Sequence, residues 1–208
     1  MHAKIFLSIV SLSIVIACSA PKSEKVLPIM GRTEYIDNDT IYHTVKDFEF
    51  INQDSTAVNQ STFDGKIYVA DFFFTSCPTI CPIMKTQMLR VYDAMESYDD
   101  VAILSHTIDP EYDTVALLKD FAERLGVSTP KWHFVTGDKN KIFEQGQRSY
   151  MVTAVEDKTA PGGAIHSGAF ILVDKEKHIR GFYDGTLPEE VDVLIKDIAL
   201  LRKEYEKK

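Results

Sequence analysis

The stretch Asp71-Phe72-Phe73-Phe74-Thr75-Ser76-Cys77-Pro78-Thr79-Ile80-Cys81-Pro82 constrains this chain more than any other. Before it, Lys66-Ile67-Tyr68-Val69-Ala70 is rich in β-branched and aromatic residues, the composition of a buried strand. After it, Ile83, Met84, Met88, Leu89 and Val91 keep helical spacing among good helix formers. The two cysteines therefore stand at a strand-to-helix junction. There the free N–H groups and the positive end of the helix dipole favour a thiolate. Pro78 and Pro82 are tolerated at a helix start, where a missing N–H costs little. With Cys81 in the first helical turn, Cys77 and Cys81 are four apart on one face. That spacing permits a disulfide, and it equally suits a pair of soft ligands awaiting a third.

A chain of 208 residues that is 45% hydrophobic suits one domain plus appendages. Its net charge of −8 argues against a basic nucleic-acid surface, and no such partner is expected. Three cysteines exclude a disulfide-rich scaffold. Residues 1–20 read as a targeting segment, with Lys4 ahead of an apolar run, 5–17, broken only by serines. Such a run spans roughly 20 Å, short of the roughly 30 Å hydrocarbon core. Val15-Ile16-Ala17-Cys18 resembles a bacterial lipoprotein processing site, so Cys18 is expected to be the lipidated mature N-terminus. The alternative is an uncleaved signal anchor, and both place the rest of the chain on the extracytoplasmic side. Residues 21–32 read as a tether and 33–208 as the domain.

Along that domain, two β-like stretches, 40–44 and 48–51, predict an added N-terminal hairpin or ribbon. Strands are expected at 101–107 and 132–135, with a helix between them carrying Val115, Leu118, Phe121, Ala122 and Leu125 on one face. Asp113 or Thr114 offers its N-cap and Gly126 its stop. Asp138 opens a short helix toward Tyr150. The chain closes with a hairpin, 169–173 and 178–183, and a helix from Pro188 through Leu201. Alternating strands and helices followed by a hairpin predict an α/β fold of three layers around a central mixed sheet.

The cysteine stretch resembles the signature of the SCO/SenC family. Three further blocks match in the expected order: Thr107-Ile108-Asp109-Pro110-Glu111-Tyr112-Asp113-Thr114, Trp132-His133-Phe134-Val135-Thr136-Gly137 and Ile165-His166-Ser167. The resemblance runs from about 47 to 201. It implies a thioredoxin-like fold and a copper-binding metallochaperone that helps assemble the copper site of cytochrome c oxidase. The copper-bearing subunit of that oxidase, or another copper or thiol acceptor, is then the expected partner, and the cargo is Cu(I), Cu(II) or both. A membrane anchor at Cys18 fits such a protein.

The resemblance also assigns the metal ligands, Cys77, Cys81 and His166. His166 follows a loop, Lys158-Thr159-Ala160-Pro161-Gly162-Gly163, which in a thioredoxin-like fold runs beside the start of the site helix. Two thiolates and a neutral imidazole make a trigonal set suited to Cu(I). Asp109, at the end of the second core strand, is a candidate for orienting a ligand or influencing the thiolates, and equally for holding the Pro110 turn or capping a helix. Met84 and Met88 are expected in the core. His106 and His133 are expected as hydrogen-bonded structural histidines, and His178 as exposed. The competing function is a thiol-disulfide oxidoreductase in which Cys77 and Cys81 cycle between dithiol and disulfide. The three-residue spacing and the available histidine favour metal.

Overall fold

Seven consecutive buried residues make 67–73 the central strand, and a strand buried on both faces needs a layer on each side. The computed structural model, which describes residues 26–156 and 164–207, supplies those layers. In chain order the elements are β1 (Thr33–Ile36), β2 (Asp39–Tyr42), β3 (Glu49–Asn52), β4 (Ala57–Asn59), β5 (Ile67–Phe73) and α1 (Cys81–Ala94). There follow β6 (Val101–Thr107), α2 (Val115–Leu125), β7 (Trp132–Thr136), α3 (Lys139–Glu144), β8 (Ala154–Glu156) and β9 (Ala164–His166). The chain ends with β10 (Ala169–Val173), β11 (Ile179–Asp184) and α4 (Pro188–Glu206). A 3-10 turn, Gln60–Phe63, precedes β5, and a π turn, Gln145–Ser149, continues α3.

The main sheet runs β11-β10-β5-β6-β7-β3-β4. Its three central strands are parallel, with Ile67 opposite Val101 and Ile103 opposite Trp132. The strands on either side run antiparallel, as the mixed sheet predicted from the sequence requires. One face carries Phe73, Trp132 and Phe134, and α2 packs on it through Phe121, whose ring lies 5.6 Å from that of Phe73. Arg90 of α1 pairs with Asp192, tying α4 alongside. The other face carries Tyr68 and Phe72 against Phe63 and Tyr150. Each fully buried side chain of this size contributes roughly 1.5–3 kcal/mol. Met84 and Met88 are buried on the inner side of α1.

Local signals set the element ends. Thr114 caps α2, its hydroxyl accepting from the Leu117 N–H. Gly126 ends it at φ +72°, a left-handed conformation that costs glycine no steric clash. Asp138 caps α3 through the Lys141 N–H. Asp113, the other cap candidate, turns inward instead.

Three readings are corrected. The N-terminal hairpin pairs 33–36 with 39–42, whereas 49–52 joins the main sheet beside β7. The reason is burial: Phe50 and Asn52 point inward in alternation, while every residue of β1 and β2 is exposed. His106 is fully buried, yet neither ring nitrogen has a hydrogen-bond partner; the Asp71 backbone approaches without reaching bonding geometry. The ring lies among Phe48, Phe50, Phe72 and Tyr150, stacked on Phe72 at 4.8 Å. Burial holds it neutral, with its pKa near 3. His133 does receive a bond, from the Asn52 amide at 3.2 Å. His178 is half-buried, not exposed, with Nδ1 3.5 Å from the Asp174 carboxylate.

Among the described residues no helix is long and apolar enough to cross a membrane. The 1–20 targeting segment, Cys18, residues 21–25 of the 21–32 tether and the 158–163 loop lie outside the described residues.

Candidate metal and thiol centre

β5 delivers the chain to the C-terminal edge of the parallel strands, where loops of an open α/β sheet collect around a site. Cys81 is the first residue of α1 and Pro82 the second. No side chain caps the helix at Ile80, so its first N–H groups remain available. The Cys77 sulfur takes that place. It receives the backbone N–H groups of Thr79 and Cys81, and the Thr79 hydroxyl lies 3.6 Å away. Both cysteines are reduced and buried, Cys77 at 7% exposure and Cys81 at 0%.

The two thiols are unequal. Burial pushes Cys77 up, but the Cys81 S–H, the two N–H groups and the Thr79 hydroxyl outweigh it, leaving Cys77 below the ordinary thiol value. Burial pushes Cys81 far up. Its hydrogen bond to Cys77 and the charges of Cys77 and Asp71 add to that, against an opposing backbone bond at Phe74. Cys77 is thus the first thiolate and Cys81 the proton holder. Because the pair interacts, loss of one proton makes loss of the second harder.

Three residues that the sequence did not assign to the site shape it. Lys85 stands one turn beyond Cys81, its amine 4.5 Å over the Phe121 ring. Burial lowers its pKa, and the two cysteines pull it back up. The four-residue spacing from Cys81 is the signal that could have found it. Asp71 is buried on β5 behind the helix start and accepts the Ser105 hydroxyl. A lone carboxylate inside an apolar run was its signal. Asp113, fully buried, accepts the Thr75 hydroxyl, the Thr75 N–H at 3.1 Å and the Thr107 hydroxyl. It thereby pins the loop leading to Cys77 onto the end of β6, a tertiary role that no local pattern announces.

Asp113→Ala leaves two hydroxyls and an N–H without their acceptor, while Asp113→Asn keeps an acceptor oxygen. The alanine variant is expected to lose about 2–3 kcal/mol in a urea melt, and the asparagine variant roughly half of that. Equal losses would show that the acceptor is not what matters.

Asp109 holds the Pro110 turn through its backbone, its carbonyl accepting from the Asp113 N–H at 2.8 Å and the Tyr112 N–H at 3.1 Å. Its carboxylate has no hydrogen-bond partner among the described residues.

His166 ends β9, which pairs with β8 so that His166 faces Ala154 across the ribbon. Two residues on, Gly168 lies against the site helix: a Cβ there would stand 3.9 Å from Ile80 Cδ1. Gly168 also accepts the Gly185 N–H at 2.7 Å. The strand bearing His166 therefore leads directly to the residue before Cys81. Two reduced sulfurs at one helix start, one of them stabilised as a thiolate, are a donor pair that fits a soft metal ion.

A model of the SCO1/SenC family matches residues 37–201. A SCO1 protein homolog of Bacillus subtilis (strain 168) is 31% identical over 161 residues, covering 77% of this chain and 83% of the relative. Among solved structures, a SCO1/SenC family lipoprotein from Bacillus anthracis str. Ames superposes with a TM-score of 0.70 at 28% identity, covering 77% of this chain and 95% of that one. BsSco, described as having a disulfide switch and as a member of the Sco family of cytochrome c oxidase assembly proteins, gives 0.66 at 32%, covering 76% and 93%. Bradyrhizobium japonicum ScoI with copper bound gives 0.62 at 26%, covering 74% and 99%. These neighbours share the thioredoxin-like arrangement expected from the four motif blocks. The chain belongs to the SCO1/SenC family.

Proposed function

We propose that this protein is an extracytoplasmic copper-binding metallochaperone that delivers copper to the copper site of cytochrome c oxidase and so helps to assemble it. The observation that carries this reading is the pair of unequal reduced sulfurs at the mouth of α1, with the His166 strand leading to Ile80 beside them. Cys77, Cys81 and His166 are the proposed ligands. A copper-bound relative and one described as an oxidase assembly protein support the cargo and the acceptor. Cys77 binds first as the more acidic thiol, and the metal then displaces the Cys81 proton. Pinned by Asp113, the loop ahead of Cys77 keeps both sulfurs at the helix start throughout. Anaerobic titration of the reduced protein is expected to give one tightly held Cu(I) per chain. Absence of stoichiometric copper would end this reading.

Cys18 is proposed as the lipidated N-terminus that holds the protein on the bacterial cell membrane, a reading supported by the lipoprotein relative. Mass spectrometry is expected to find the mature chain beginning at a diacylated Cys18, and Cys18→Ala to release the protein from membranes. An intact, unlipidated N-terminus on the mature wild type would contradict it.

The second reading is a thiol-disulfide oxidoreductase that keeps partner cysteines reduced, and the inequality of the thiols favours it specifically. A lowered Cys77 suits attack on a partner disulfide, and a protonated Cys81 next to it suits the resolving step. Iodoacetamide near neutral pH is expected to label Cys77 well ahead of Cys81. Equal labelling would remove the basis of this second activity.

A further inference from the structure

The exposed β1–β2 hairpin overhangs a cleft of about 730 Å³ whose opposite wall is the π turn. Arg32, Lys46 and Arg148 line it, against a single lining carboxylate, Glu34. In a chain whose net charge is −8, this concentrates positive charge in one concave place. Moreover, these cations are nearly unengaged. Among the described residues Arg32 and Lys46 form no ion pair, and Arg148 reaches only Glu144 on its own turn, at 3.4 Å. Apolar surface is exposed beside them: Ile41 and Tyr42 line the cleft, and Tyr35 on the hairpin is 80% exposed. A monomer gains nothing from leaving these groups together in water.

We propose that this cleft is the docking site for an acidic segment of a partner protein, anchored by an apolar or aromatic side chain set against Tyr42 and Ile41. Carboxylates satisfy the three cations, and the volume accommodates a few side chains, not a globular face. A membrane surface is the poorer fit, because the hairpin tip carries Asp37 and Asp39, which anionic headgroups repel. Docking here also bears on the metal site. Gln147, in the wall of the cleft, donates to the Ala154 carbonyl at 2.7 Å, and Ala154 is the residue paired with His166. A segment seated in the cleft thus presses on the ribbon that carries a proposed ligand. That the partner is the copper acceptor rests on the reading above; the docking itself does not.

The test uses the full chain in detergent and a fluorescein-labelled peptide of alternating Asp/Glu and Leu/Tyr, followed by fluorescence anisotropy. Wild type is expected to bind it in a salt-sensitive manner. Arg32→Glu/Lys46→Glu/Arg148→Glu is expected to weaken binding about tenfold or more. A control with the same charge change elsewhere, Lys119→Glu/Arg124→Glu/Lys203→Glu, is expected to bind nearly as wild type does. Cu(I) affinity should be the same in all three, which separates this proposal from the copper reading. If the reversed variant does not fold, Arg32→Gln/Lys46→Gln/Arg148→Gln takes its place with a smaller expected loss. Lack of peptide binding would overturn the proposal, as would equal loss in cleft and control variants. Binding to phosphatidylglycerol vesicles that needs the three cations, without peptide binding, would assign the cleft to the membrane instead.

Discussion

His166→Ala is expected to keep the fold, to form the Cys77–Cys81 disulfide on air oxidation, and to lose Cu(I) affinity by more than about tenfold, the lower end for losing even an outer-shell partner. The reasoning separates the two functions. A dithiol reductase needs its two sulfurs and access to its partner, both of which lie in the β5–α1 junction and not on β9. A trigonal copper site loses one of three ligands. Oxidation gives the complementary result: the disulfide consumes both thiolates, and air-oxidised wild type is expected to hold no stoichiometric copper. A Cu(I) competition titration on wild type, oxidised wild type and His166→Ala, beside a dithiol redox titration, reads all of this. Unchanged copper affinity in His166→Ala would show that the imidazole is no ligand and would move the reductase reading ahead. Copper retained by the oxidised protein would contradict the whole ligand set.

What the sequence disclosed about this site followed chain proximity. Cys77 and Cys81 were legible because strand, loop and helix are consecutive, and the junction dictates where the thiols stand. The parallel core was legible for a similar reason: 67–73, 101–107 and 132–136 are apolar runs separated by helical periodicity. The hairpin boundaries were harder to read. β1 is Thr33–Ile36, with all four residues exposed, so no hydrophobic alternation marked it. Asp113 was read as a helix cap because local chemistry allowed that, and only the folded chain brings Thr75 and Thr107 to it. His106 looked like a polar residue needing a partner. Four aromatic rings around it supply packing instead, and its charge is suppressed to suit them. The sequence thus revealed what neighbours in the chain determine, and withheld what neighbours in space determine.

Asp71→Asn is expected to stabilise the protein by roughly 4 kcal/mol at pH 8 but by only about 1.7 kcal/mol at pH 5. Asp71 is buried on β5 and accepts the Ser105 hydroxyl, which in turn accepts the Trp132 indole N–H at 2.9 Å. Burial raises the Asp71 pKa from 3.8 to about 7, with the Ser105 bond opposing. Between those two values the folded protein keeps the proton and the unfolded chain releases it. The unfolded state therefore binds fewer protons, so stability is full below about pH 4 and falls as pH rises through about 7. At about 1.4 kcal/mol per unit, the whole window amounts to roughly 4 kcal/mol. Asparagine keeps the shape and an acceptor for Ser105 but has no proton to lose. His106 titrates in the opposite sense, since its lowered pKa removes stability as pH falls below its ordinary 6.5. That contribution is common to both proteins and cancels in their difference. Urea melts of wild type and variant at pH 5 and pH 8 measure it, and an equal difference at both values would refute the titration of Asp71. The same substitution removes a negative charge that helps keep Cys81 protonated. Alkylation of Cys81 at pH 8 is therefore expected to quicken in the variant while Cys77 changes little. A stability gain without that change would assign Asp71 to the fold alone; both together place its charge behind the second thiol.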